Sequence, residues 1–197
     1  MKRLILVYGD LATGKSTFAD ILSKKLLCPA IKKDSIKEIL GDTIGFEGRF
    51  ENLRLSTATF EIMYYSFERV SLVGSDLILE SNFREWELQR LSDLAEERGY
   101  TLISLHLTAP TELLYDRYLK RIENGRHPVH LTNGFDDYEG FVKYVTAQRT
   151  EKTFGTQIEI DASDFGYQSD EEIFLKIDKA TLPSSMYAAL EEAFGIK

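Results

Sequence analysis

Gly9-Asp10-Leu11-Ala12-Thr13-Gly14-Lys15-Ser16 satisfies the pattern G-x-x-x-x-G-K-[ST] at every fixed position, with Thr17 directly after it. The two glycines let the backbone curl so that successive N–H groups point inward as an anion nest at a helix start. Lys15 has the reach and charge for β- and γ-phosphates, and the Ser16 hydroxyl is the oxygen donor that Mg²⁺ favours. Residues 9–17 therefore predict binding of a nucleoside triphosphate with Mg²⁺. The competing explanation is a glycine-rich strand-to-helix turn with a solvated lysine. The context opposes it: an apolar run directly before, and an amphipathic stretch directly after.

Phosphoryl transfer to a hydroxyl needs a carboxylate near the acceptor and cations near the transferred group. Asp34, after a short predicted strand, is the candidate base; it would lie at the same sheet edge as the phosphate loop. It is equally placed to cap the helix that begins there. Glu80 ends another apolar run and can hold the Mg²⁺ hydration shell, orient substrate, or simply be a solvated strand-end charge. Ser81 and Asn82 offer weaker polar contacts. Arg117 and Arg121 are four residues apart, on one helix face, with Arg126 on the following loop. Together they can close over a triphosphate, although Glu112, Asp116 and Lys120 are interleaved and permit an ordinary solvated helix. His127 and His130 suit a lid or substrate contact, or a plain surface, better than a metal site. Phe60, Met63, Tyr64, Tyr65 and Phe67 can wall an acceptor site, but core packing explains them more simply.

The elements that must position these residues follow from periodicity. Residues 4–8 form a continuous apolar run, as in a strand buried on both faces. Helical spacing follows over 17–27, then a short strand over 29–33 and a helix over 34–40. A glycine-rich loop is expected at 41–48 and a long helix at 54–73. Further strands are expected at 77–80, 101–107 and 157–161, with helices at 85–98, 110–123, 138–148 and 170–180. Alternating strands and helices imply right-handed crossovers and a parallel sheet covered on both sides. The expectation is an α/β chain, one domain over 1–197, with a lid at about 117–135 and a C-terminal helical tail at about 182–197.

Composition narrows the partners. The formal net charge of -8 argues against a polynucleotide, short of a local basic groove. The lone cysteine, Cys28, follows two leucines and reads as a small buried hydrophobe in a reducing compartment. The N-terminal apolar run is too short for a signal peptide core or a membrane span, so a cytoplasmic protein is expected. Oligomeric state leaves no mark.

No N-K-x-D guanine-reading tetrapeptide is present, the chain is short for a remodelling ATPase, and no apolar strand ends in an Asp-Glu pair. Over residues 1–180 the sequence resembles the small P-loop kinases related to polynucleotide kinase, zeta toxin and chloramphenicol phosphotransferase, which are AAA-domain-like. Lys33-Asp34-Ser35-Ile36-Lys37 resembles the segment in which that family sets an acidic residue beside the acceptor hydroxyl. Leu79-Glu80-Ser81-Asn82-Phe83 resembles the end of its third strand, where aspartate is more usual than Glu80. Arg117 and Arg121 resemble its helix arginines, and Arg126-His127-Pro128-Val129-His130 resembles one form of its lid. The resemblance implies a three-layer P-loop NTPase fold with a five-stranded parallel sheet and a helical lid. It also implies ATP as donor, with backbone near Asp161-Ala162-Ser163 beside the adenine, and a small-molecule or nucleotide-type hydroxyl acceptor. A regulator that binds ATP and hydrolyses it slowly is the alternative, and a nucleoside monophosphate kinase a third.

Overall fold

The computed structural model describes residues 2–130, 135, 137–149 and 152–181. Strand β1 (Arg3–Gly9) runs through the middle of the sheet, and its side chains from Leu4 to Val7 are fully buried. Helix α1 (Lys15–Leu26) returns the chain to β2 (Ala30–Lys32), and α2 (Lys33–Ile44) and α3 (Arg49–Ser71) lead to β3 (Leu77–Glu80). Then follow α4 (Glu85–Glu97), β4 (Thr101–Thr108), α5 (Thr111–Glu123), α6 (Tyr138–Gln148), β5 (Thr156–Asp161), a 3₁₀ turn at Gly166–Ser169 and α7 (Glu171–Lys179). The sheet is five-stranded and all parallel, in the order β2-β3-β1-β4-β5. Among the described residues no helix is long and apolar enough to cross a membrane.

Alternation along β1 makes the layers. Ile5 and Val7 face a core with Phe18 and Leu22 of α1, Leu114 and Tyr118 of α5, Phe141 of α6 and Phe174 of α7. Leu4, Leu6 and Tyr8 face the other core, with Phe60, Met63, Tyr64 and Phe67 of α3 and Leu88 and Leu91 of α4. Each large apolar side chain buried in full contributes roughly 1.5–3 kcal/mol. The α3 aromatics are thus core, apart from Tyr65, which is exposed. Cys28 is buried, and that burial pushes its thiol up to about 11, away from reactivity.

Two boundaries differ from expectation. The loop expected at 41–48 shrinks to residues 45–48, because α2 continues through Gly41 to Ile44 and α3 starts at Arg49. Gly41 lets Val129 pack close against α2: an added Cβ there would meet Val129 Cγ2 at 3.0 Å. The 3₁₀ turn carries no periodic signal and was not expected. The tail expected at 182–197 lies outside the described residues, as do 131–134 of the expected lid.

Candidate active site

All five strands end on the same edge, and register aligns their ends. Val7 and Lys32 both pair with Glu80, Gly9 pairs with Leu107, and Thr108 pairs with Asp161. The phosphate loop leaves β1 at this edge. Gly9 has φ +127°, and an added Cβ would lie 2.1 Å from the Leu107 carbonyl oxygen, so only glycine fits. Ala12 and Gly14 also have positive φ, 62° and 90°, which turns the backbone inward ahead of α1. Leu11 is buried in the core beside the loop, Ala12 is partly exposed, and Ser16 and Thr17 lie exposed in the first turn of α1.

Lys15 is 7 % exposed, and its ammonium donates to the carbonyls of Gly9 at 3.2 Å and Asp10 at 2.5 Å. Burial lowers its pKa, against the opposing pull of Glu80, Asp10 and Asp34. Ser16 Oγ donates to Glu80 Oε2 at 3.1 Å. Glu80 is 5 % exposed; burial pushes its carboxyl up, with Lys15 opposing. These two oxygen-bearing side chains, buried carboxylate and hydroxyl, form a hard donor set that fits Mg²⁺.

Two supports for the loop carry no sequence motif. Arg149, just past α6, donates Nε and Nη2 to the two carboxylate oxygens of Asp10 at 3.1 and 2.6 Å. The Asp10 side chain is 1 % exposed, so a bidentate partner relieves what would otherwise be a buried, unpaired charge. Tyr167, in the 3₁₀ turn, donates its hydroxyl to the Thr13 carbonyl at 2.8 Å, and its ring meets Phe18 edge-on at 5.1 Å. Thr13 Oγ1 closes the loop on itself by donating to Asp10 O at 2.9 Å.

Asp34 sits in the first turn of α2, whose start at Lys33 is not capped by any side chain. Its carboxylate instead faces two cations, Lys33 Nζ at 3.4 Å and Arg126 Nη2 at 3.8 Å, and the His130 imidazole, whose Nδ1 lies at 4.0 Å. Burial raises its pKa, but Lys33, His130 and Arg126 outweigh this and hold it below the usual carboxylate range. His130 Nε2 lies 2.7 Å from Glu38 Oε1, and burial lowers the imidazole against the pull of Asp34 and Glu38. His127 faces a different carboxylate, Asp42, at 3.0 Å, so the two histidines do not converge. Among the described residues no group of three or more His, Cys, Asp and Glu could hold a metal.

The helix arginines part company. Arg121 lies near enough to Lys15 and Arg126 to repel both charges. Arg117 turns to the loop after β5, donating to the carbonyls of Ala162 at 2.7 Å and Ser163 at 2.9 Å, with its guanidinium 4.4 Å from the Phe165 ring. Arg121 and Arg126 are thus on the Lys15–Asp34 side, while Arg117 and Phe165 make a flat platform beside Gly14.

The AAA domain family matches residues 5–129. The chain belongs to that family. A Chloroflexus aurantiacus J-10-fl protein provisionally designated a kinase is 27% identical, covering 92% of this chain and 99% of its own, with a TM-score of 0.78. A sugar kinase from Janibacter sp. HTCC2649 is 16% identical over 90% of this chain and 95% of its own, TM-score 0.58. A gluconokinase from Sinorhizobium meliloti 1021 is 13% identical over 83% of each, TM-score 0.53. No curated protein matches the sequence. The fold is therefore the α/β fold of P-loop kinases, as the resemblance implied.

Proposed function

We propose that this protein is an ATP-dependent phosphotransferase that moves the γ-phosphoryl group to a hydroxyl of a small-molecule or nucleotide-type acceptor. The observation that carries the reading is Asp34: a carboxylate near enough to attract Lys15 and repel Glu80, and making no capping hydrogen bond to α2. A nucleotide switch needs no such group. In the proposed reaction residues 9–17 bind the triphosphate, with Lys15 on its outer phosphates. Arg121 and Arg126 counter charge on the transferred group, and Arg117 lies on the side of the loop after β5, where the adenine would sit. The acceptor oxygen attacks Pγ, the bond from Pγ to the β–γ bridging oxygen breaks, and the hydroxyl proton passes to Asp34. ADP and a phosphate monoester result. Ser16 and Glu80 would hold Mg²⁺, which when bound neutralises charge on the phosphate oxygens. The test is ADP release with sugars, sugar acids, nucleosides, nucleoside monophosphates, aminoglycosides and 5′-hydroxyl oligonucleotides as acceptors. Stimulation above the water background by one class supports transfer, and none across the whole set favours a slow ATPase or ATP-binding regulator.

A further inference from the structure

Lys37 follows Asp34 by one turn on the same face of α2 and is 5 % exposed. Its ammonium has three N–H donors, yet among the described residues its one hydrogen-bond acceptor is the neutral Asn52 Oδ1 of α3, at 2.9 Å. Asn52 in turn donates to the carbonyl of Val129, which joins α2, α3 and the loop after α5 at one point. A buried ammonium with a single neutral acceptor is an incomplete arrangement. Its surroundings are cationic too: among the described residues Lys33 and Arg126 repel it, and Asp34 is the carboxylate that pulls on it. Glu38 is engaged by His130 at 2.7 Å. A chain with net charge -8 thus gathers three cations, Lys33, Lys37 and Arg126, around the Asp34 carboxylate.

Resting on the transfer reading, we propose that the acceptor is itself an anion, a small hydroxylated carboxylate or phosphate ester whose charged end seats against Lys37, Lys33 and Arg126 while its hydroxyl faces Asp34. The overall acidity of the chain would have favoured a neutral or cationic molecule; the local field reverses that preference. Burial, with repulsion from Lys33 and Arg126, lowers the Lys37 ammonium to about 8 against the pull of Asp34. A bound anion relieves the repulsion and holds the proton. Lys37 is protonated below about pH 8, so anion binding is strong there and weakens as pH rises through it.

The test fills the triphosphate site with a non-hydrolysable ATP analogue and Mg²⁺. Gluconate and glycerol 3-phosphate are then titrated calorimetrically beside their uncharged counterparts, glucose and glycerol. The expected result is one anion binding at least about tenfold more tightly than its counterpart, a difference a single charge contact supplies. Which of the two binds separates carboxylate from phosphate. Lys37→Met should lose that preference, with the melting temperature followed alongside. Equal or tighter binding of the neutral member overturns the inference, with no variant needed. So does anion affinity unchanged in a folded Lys37→Met protein. Parallel ADP release with ATP keeps the two readings apart. An anion that binds through Lys37 but is not phosphorylated supports the subsite and sinks the transfer reading. A neutral acceptor phosphorylated in preference does the reverse.

Discussion

The phosphate loop takes its backbone from one stretch of chain, residues 9–16, whereas the charged cluster beside it draws on α2, α3 and the loop after α5. In the first region the peptide groups do the binding and side chains brace them. In the second, side chains are the surface: Lys33, Asp34, Lys37, Arg126 and His130 face one another across distances set by packing. A backbone nest of this kind is indifferent to what receives the phosphate. A side-chain cluster can be re-aimed by one substitution, and in the proposed transfer reaction it is where acceptor choice would reside.

Substitutions should separate the regions, and the largest effect belongs to the phosphate side. Lys15→Met is expected to lower ADP production by about a thousandfold or more and to weaken nucleotide binding; nucleotide affinity kept at the wild-type level would break the assignment. Asp34→Asn comes next, with kcat down by roughly a hundredfold or more and nucleotide affinity unchanged by calorimetry. Because Asp34 is held below the usual carboxylate range, it stays ionised throughout the neutral region. The wild-type rate should therefore show no acid limb from this group between about pH 5 and pH 7. A limb there that vanishes in Asp34→Asn would contradict the ion pairs described for it.

Arg149→Ala tests whether the phosphate loop depends on its braces. It leaves the buried Asp10 carboxylate without its bidentate partner. Loss of about 1–3 kcal/mol is expected in chemical denaturation, tempered by the partial exposure of Arg149. The nucleotide KM should rise with acceptor KM held constant. Gly41→Ala should have the smallest effect and touch only the other region. Its methyl would press on Val129 and displace the carbonyl that receives Asn52. A few-fold rise in acceptor KM with nucleotide KM unchanged is expected; equal shifts in both would mean that the regions are not independent.

Legibility follows the same division. The phosphate loop, the parallel sheet and most helices could be read directly, because each rests on contiguous spacing: 2 for half-buried strands, 3.6 for helices, and fixed offsets for the nest. Asp34 was readable as a polar residue at a strand end. Lys37 stands three residues beyond it, and that spacing was a usable signal, since both must share a helix face. Nothing local, however, tells that Asn52 meets it and in turn donates to the Val129 carbonyl. Arg149 and Tyr167 were invisible for the same reason, since their partners lie 139 and 154 residues away. Arg117 and Arg121 share a helix face, but the loop after β5 captures one and not the other, a matter of tertiary placement that spacing does not encode.

Those two long-range braces have a consequence for synthesis. The loop leaves the ribosome well before Tyr167, which supports Thr13 from 154 residues further along the chain. A nascent chain that ends before Phe165 has the motif but neither the Tyr167 support nor the platform from Phe165. Capture of nucleotide should therefore wait until that segment has emerged, so a nucleotide can act on the assembled fold as a stabilising ligand but not as a template for it.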